Sequence, residues 1–415
     1  MSKRAETGLG TLLGDFRLLL LLFVFFRLML MLVQMPLVVG GTERGVTVGG
    51  DYFYYFQLSS FVREGLLPFR DWWSEFPPIP HALTTFVFLL TGANFTAFAM
   101  FLGMIMLAFE VGNLALVRSI GDRLHGAQTG MALAWIYAMT FAPLVFIWWN
   151  FEPMVAFFLL LGINAVVRGK DTASALWIGV GALVKFTPAL ILGAVWRYRA
   201  PRKALQATII AGAIFGVVYL ALFIQYPDNT VASLTAQFNK ASYQTVWALI
   251  DGNYRTGNFG SAFERLDVAN AYVLTGNPSV VPGIVRLGAA ALIGLFIFTQ
   301  TRRRDSKGVV AFVTIALLIF FLQAQGWSPQ WLAQIVPLVL LCFPTRKGVL
   351  MVLMLSLVVF VEYPFLWLRT GDTGGVIAGA LVTPFIVLVM ARTLILLAIC
   401  GALFEMLRRP VPSDA

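Results

Sequence analysis

The chain has 415 residues, 59% of them hydrophobic and only 12% charged, with a mean hydropathy of +0.82. A soluble domain of that size could not cover so much apolar surface. The net charge of +10, which in a soluble protein would point to nucleic acid, is explained here by Lys and Arg gathered in short cytoplasmic loops.

From the N-terminus, Met-Ser-Lys-Arg is followed by an apolar run, Leu18 to Val33. The run is too long for a signal peptide and no small-residue cleavage site follows it, so it reads as a retained first span. Apolar segments of membrane-crossing length then recur to the C-terminus. Positive clusters sort the loops: Lys3/Arg4, Arg118/Arg123, Arg168/Lys170, Arg197 to Lys203, Arg302 to Lys307, Arg346/Lys347 and Arg408/Arg409 are all expected on the cytoplasmic side. Spans that satisfy this are 16–38, 95–117, 129–149, 153–168, 172–184, 187–197, 204–224, 283–300, 309–324, 330–344, 348–367 and 378–404. The expected fold is therefore all-α: one polytopic bundle over residues 1–415, about twelve spans, both termini inside.

Two external loops are long, residues 39–94 and 225–282. The first interleaves aromatic and charged residues, Asp51-Tyr-Phe-Tyr-Tyr and then Pro68-Phe-Arg-Asp-Trp-Trp-Ser-Glu-Phe-Pro-Pro. Its apolar stretch, His81 to Leu90, is too short to cross and is expected to lie at or dip into the interface. The second holds Gln237-Phe-Asn-Lys-Ala-Ser-Tyr-Gln-Thr-Val-Trp and Asp251-Gly-Asn-Tyr-Arg. Between spans five and six the chain breaks at Lys185-Phe186-Thr187-Pro188, and interrupted helices at membrane depth occur where they line a cavity or are buried in protein. Polar chemistry thus collects on one face, which suits an enzyme working at one membrane surface. Cys342 and Cys400 lie in apolar runs, so neither a disulfide nor a thiolate metal site is expected; two histidines argue against a zinc enzyme.

Several motifs occur in a telling order: Asp51-Tyr early in the first external loop, Gly65-Leu-Leu-Pro-Phe-Arg-Asp, Phe76-Pro-Pro opening an apolar helix, Gly181-Ala-Leu-Val-Lys-Phe-Thr-Pro, and Trp327-Ser-Pro-Gln-Trp-Leu. In this order and topology, over roughly residues 16–345, the chain resembles the GT-C superfamily of integral-membrane glycosyltransferases. The particular likeness is to glycosyltransferase family 87, the bacterial polyprenyl-phosphate-mannose-dependent mannosyltransferases. One departure is Trp149-Asn-Phe-Glu-Pro, where that family commonly carries Gly-Gln-x-Asn. The resemblance implies an inverting hexosyltransferase in a bacterial plasma membrane, its active site facing outward. It would take a sugar, mannose above all, from a polyprenyl phosphate and pass it to a lipid or cell-envelope glycan. Membrane lipids are its surroundings and nucleic acid is no partner. The main alternative is a flippase or transporter of a lipid-linked sugar.

Such a transfer needs a base for the acceptor proton, cations for the departing phosphate and a surface for the sugar. Asp51 is the candidate base, and the resemblance points to the same position; as Gly49-Gly50-Asp51 it would also make a good helix cap. Lys185 is the candidate phosphate ligand, since an intramembrane lysine needs a cavity or a partner, although it could snorkel to the interface. Arg255 and Lys240 are candidates for the same role or are solvated charges. Glu152, before Pro153, could orient the acceptor, hold a metal, or simply face a helix N-terminus. Ser242, Tyr243, Gln244, Trp247, Trp327, Gln330 and Trp331 combine flat rings with amides and hydroxyls suited to a sugar, and tryptophans also form interfacial belts. Asp71, Glu75 and His81 could together bind a divalent ion, but surface charge is the simpler reading; metal dependence stays open. Arg27 and Glu110, at similar depth in spans one and two, are expected to form a structural ion pair.

Overall fold

The computed structural model describes residues 8–39, 42–43, 47, 49–140, 149–366 and 375–410. A short α1 (Leu9–Gly14) leads into α2 (Phe16–Val33), whose start is capped by Asp15 accepting from the Arg17 and Leu18 amides at 2.8 and 3.4 Å. A two-residue antiparallel pair, β1 (Val38–Val39) and β2 (Thr42–Glu43), precedes α3 (Tyr52–Ser60) and α4 (Pro78–Leu90). The bundle continues with α5 (Phe95–His125), α6 (Ala127–Met139), α7 (Glu152–Val167), α8 (Asp171–Val184), α9 (Ile191–Tyr198) and α10 (Pro201–Gln225). Then come α11 (Pro227–Asn239), α12 (Val246–Asp251), α13 (Gly283–Gln300), α14 (Ser306–Gln323), α15 (Leu332–Cys342), α16 (Arg346–Phe360) and α17 (Val382–Arg408).

Among the described residues, six helical segments are long and apolar enough to cross a membrane: Phe16–Val33, Phe95–His125, Pro201–Gln225, Gly283–Gln300, Ser306–Gln323 and Gly379–Arg408. Helices satisfy their own backbone groups, so such runs can sit in hydrocarbon. The protein is an all-α, multi-pass membrane bundle. Each of the twelve expected spans contains a helix; the second half of span 129–149 falls largely on residues 141–148, outside the described residues, as do Lys3 and Arg4. The stretch from His81 to Leu90 belongs to α4, a helix of 13 residues, about 20 Å long at 1.5 Å per residue and therefore too short to cross.

The helices sort by what surrounds them. All eleven residues of α15 are buried, and α7 is buried on nearly every side, so these two form the centre. By contrast α10 and α13 bury only 17% and 11% of their apolar windows, leaving faces suited to lipid. One large core of Leu, Ile, Val and Phe joins α5 to α9 with α14, α15 and α17. A second, strongly aromatic core lies under the first loop and holds Tyr52, Tyr55, Phe61, Trp72, Trp149 and Phe151.

The break at Lys185 is a tight hairpin. α8 stops after 14 residues, about 21 Å of helix. Lys185 then turns extended, and a 3-10 turn at Thr187–Leu190 starts the return into α9. Gly181 permits this: a Cβ there would stand 2.8 Å from the Cβ of Pro188. The α14–α15 connection makes a similar tip at Pro329–Trp331, and the tips meet where Thr187 Oγ1 donates to Gln334 Oε1 at 2.9 Å. Arg27 and Glu110 are buried, each 1% exposed, and within electrostatic reach of one another. Glu110 also accepts from Asn113 and from the Tyr137 hydroxyl.

Candidate active site

Two consecutive glycines deliver Asp51. Gly49 and Gly50 have φ of 85° and 55°, the left-handed region that glycine enters without cost, and a Cβ on Gly50 would lie 3.1 Å from the Trp149 Cβ. The chain can therefore fold tightly past Trp149 before α3 begins. Tyr52 fixes the helix start, its hydroxyl donating to the Asn150 carbonyl at 3.4 Å and its ring edge-on to Trp149. The Asp51 side chain makes no capping hydrogen bond. Its Oδ2 instead accepts from Gln330 Nε2 at 3.3 Å, across 279 positions of sequence.

Beside it lies a buried polar chain. Lys185 Nζ forms an ion pair with Glu152 Oε1. The other oxygen of Glu152 accepts from Gln334 Nε2 at 2.7 Å, and Gln334 accepts from Thr187. Glu152 is 2% exposed, whereas the Lys185 side chain keeps 19% of its surface open. The ammonium also faces two rings, Trp331 at 5.6 Å and Phe151 at 5.9 Å, and Trp331 is stacked on Phe321 at 4.1 Å. Burial pushes Asp51 up to about 7; Lys185 pulls it down, Glu152 pushes it further up, and Tyr55 pulls it down. Asp51, Lys185, Glu152 and Gln330 are thus assembled as one electrostatic unit from loop one, the α8–α9 tip, the start of α7 and the α14–α15 tip.

Loop two closes over this unit through Tyr243. Its amide donates to Gln325 O at 3.0 Å and its carbonyl accepts from Trp327 N at 3.2 Å, stitching the loop to the α14–α15 tip. The Tyr243 ring sits on Gly326, where a Cβ would come within 2.2 Å of it, and its hydroxyl bonds Ser328. Asp51 and Glu75 both act on that hydroxyl electrostatically, so it lies between the two carboxylates' fields.

The remaining sequence candidates have other partners. Gln244, at φ 52°, gives its amide to Glu362 at 3.0 Å and accepts the Gly257 N–H at 3.0 Å. Ser242 donates to Asp251 at 2.6 Å, and Trp247 donates to Leu322 O at 2.8 Å. Trp327 is buried beneath the Arg392 guanidinium, 4.4 Å away. Lys240 is tied to Glu75 at 2.6 Å, and Arg265 reaches the same carboxylate at 3.2 Å. Burial would raise Glu75, but Lys240 and then Arg265 prevail and hold its carboxyl well below the usual range. Arg255 donates to the Thr275 carbonyl at 2.9 Å while its backbone bridges Val376.

Surface charge describes only part of the Asp71, Glu75 and His81 group. Asp71 pairs with Arg70 at the surface, whereas Glu75 and His81 are buried, 4% and 1% exposed. His81 bonds the Ser74 hydroxyl. The three go to separate partners, and the described residues contain no group of three or more His, Cys, Asp or Glu that could hold a metal ion.

Sequence reasoning passed over Gln334, Thr187 and the Glu362–Arg392 pair. Gln334 carried a signal, since it stands four residues after Gln330 and so on the same helical face. Arg392 carried a stronger one: an arginine inside a 27-residue apolar helix requires a partner, and Glu362 supplies it.

No family model matches the chain, and no curated protein matches it in sequence. Among solved structures it is similar to ArnT from Cupriavidus metallidurans bound to undecaprenyl phosphate, at 13% identity and a TM-score of 0.46, over 94% of this chain and 78% of that one. It is also similar to the Archaeoglobus fulgidus oligosaccharyltransferase in the apo form, at 11% identity and a TM-score of 0.41, over 93% of this chain. The chain spans 56% of the length of that oligosaccharyltransferase.

Proposed function

We propose that the protein is a GT-C-type glycosyltransferase that moves a sugar from a polyprenyl phosphate to a hydroxyl of a lipid or cell-envelope glycan, on the non-cytoplasmic face of a bacterial plasma membrane. The observation that carries this reading is Asp51: a carboxyl lifted to about 7, beside a lysine at a helix break. A general base works best when its pKa lies near the operating pH.

In the proposed step the acceptor oxygen attacks the anomeric carbon as Asp51 takes its proton. The bond from that carbon to the phosphate oxygen breaks, the electron pair leaves with the phosphate, and a single displacement inverts the centre. Lys185 stands where the new phosphate charge can be met. Its ammonium is already paired with Glu152, so a phosphate oxygen would share it rather than replace Glu152, whose second oxygen is held by Gln334. Gln330 sets the direction of the Asp51 carboxylate, and the Trp331 and Tyr243 rings offer faces for the sugar. Mannose is our choice of sugar on the family-87 resemblance. Lys240 and Arg255 have no part in phosphate binding in this mechanism, because both are engaged elsewhere.

The test is incubation of the purified protein with a panel of polyprenyl-phosphate sugars and a hydroxyl acceptor. Acceptor-dependent release of polyprenyl phosphate, abolished by Asp51→Asn, is expected. Movement of the lipid-linked sugar between leaflets, unaffected by Asp51→Asn and without release of phosphate, would favour the transporter reading instead.

A further inference from the structure

A cavity of about 430 Å³ lies far from the Asp51 site, at the other end of the bundle. Its walls come from three spans: Phe16 at the start of α2, Arg118, Ser119, Asp122 and Arg123 near the end of α5, and Arg168 just after α7. This is the end where positive charge collects. Arg197 donates to the Thr301 carbonyl, Arg304 to the Arg197 carbonyl at 2.6 Å, and the Arg302 amide to Leu407 O at 2.8 Å, so the basic helix ends form one rim.

Arg123 and Arg168 are held in place by uncharged neighbours, and Arg118 meets the single carboxylate of the group. Arg168 donates to Ser119 Oγ at 2.7 Å and to Asn164 Oδ1 at 3.1 Å, both uncharged. Arg123 gives Nε to the Val167 carbonyl at 3.4 Å. Arg118 lies 4.4 Å from the Phe16 ring and pairs loosely with Asp122 at 3.7 Å. The Arg118 Nε and the Asp122 Oδ1, both shielded from solvent, have no hydrogen-bond partner among the described residues. Three guanidinium groups against one carboxylate leave a net charge of two in a cleft between membrane helices. Each guanidinium carries five N–H donors in a planar fork that matches phosphate oxygens.

We propose that this cavity binds the phosphate of an anionic membrane lipid. The shared chemistry is a phosphate ester oxygen on arginine. The lipid source follows from position, because the cavity opens at the ends of membrane spans, where headgroups lie. Basic pockets between helices on the cytoplasmic side hold headgroups in this way. The site is independent of the proposed sugar transfer.

The test uses the full chain in neutral detergent, titrated with phosphatidylglycerol, phosphatidylcholine or inorganic phosphate and read by native mass spectrometry. Saturable retention of phosphatidylglycerol over phosphatidylcholine is expected. Replacing Arg118, Arg123 and Arg168 with Gln should weaken it roughly fivefold per charge removed. Arg202→Gln, an exposed arginine elsewhere on the rim, should change it less than twofold. Should the triple variant fail to fold, Ala115→Trp fills the cavity mouth from an exposed position and should abolish retention with the arginines intact. Equal retention of both lipids, equal loss in Arg202→Gln, or no effect of Ala115→Trp would overturn the proposal. So would displacement of the lipid by inorganic phosphate at equal concentration.

Discussion

Gln330 and Gln334 stand one helical turn apart and hold the two carboxylates of the site, Gln330 bonding Asp51 at 3.3 Å and Gln334 bonding Glu152 at 2.7 Å. Their settings differ. Gln330 is half-buried, while Gln334 is fully buried and relays to Thr187.

That difference separates the two variants. Gln330→Ala should leave stability nearly unchanged and lower kcat, because it frees the carboxylate to rotate. Gln334→Leu should unfold more easily, since it strands a buried carboxylate oxygen; an unsatisfied buried acceptor costs about 1–3 kcal/mol. Denaturant melts in detergent and steady-state kinetics on the same preparations distinguish them. Equal stability losses in both would mean that the turn acts only as packing.

Asp51→Asn should lower kcat by about 10²–10⁴-fold with little change in donor affinity, the range for loss of a placed base. In the wild type the rate should rise with pH through about 7 and then level, because the base works deprotonated. Stability runs the other way. The folded pKa exceeds the unfolded one, so the native state binds the extra proton and stability falls as pH rises from about 4 to 7. Asp51→Asn should therefore melt higher than wild type at pH 8 and no higher at pH 4. A capping role predicts neither effect, because Asn caps about as well as Asp.

Much of this was legible in the sequence. Helix positions followed from apolar runs and Lys/Arg clusters, since hydrocarbon thickness and charge bias act on local sequence alone. The break at Lys185 was legible for the same reason, as Pro188 and a costly lysine mark it directly. What local sequence could not show was pairing. Lys240 and Arg265 meet on Glu75, and Gln244 joins Glu362 and Arg392, through contacts 118 to 190 positions apart. Nothing near Lys240 distinguishes a phosphate ligand from the partner of a distant glutamate.

The Lys185–Glu152 pair should behave unequally when broken. Lys185→Ala leaves Glu152, 2% exposed, without its cation, and removing one partner of a buried pair costs about 3–5 kcal/mol. Lys185→Ala with Glu152→Gln should recover much of that loss. Donor binding should not recover in the double variant, because the phosphate still lacks its ammonium. A donor titration alongside melts of both variants measures this. If affinity returned with stability, Lys185 would be a structural partner of Glu152 and no more.

Lys240 offers the converse case, a lysine on the same side of the bundle whose charge is already answered. Glu75 is buried, with its side chain 0% exposed, and receives Lys240 and Arg265 together. These contacts join the first long loop to the second, as do Trp73 to Asp267 at 2.9 Å and the Ser74 amide to Ser233 at 3.0 Å. Lys240→Ala leaves Arg265 in place and its own site is partly open, so the stability loss should be modest. Arg265→Ala removes the deeper partner, only 4% exposed, and should approach the 3–5 kcal/mol of a broken buried pair. Because Glu75 is held well below the usual carboxylate range, the stability it lends is fully present above the unfolded value near 4.5 and is lost progressively as pH falls below it. Melting curves of wild type between about pH 6 and 8 should therefore show no step from Glu75. Donor affinity is the deciding measurement: Lys240→Ala should hold the dissociation constant within about twofold, whereas Lys185→Ala should raise it at least tenfold. A tenfold loss of affinity in Lys240→Ala, with stability preserved, would return Lys240 to the phosphate and make Glu75 its resting partner.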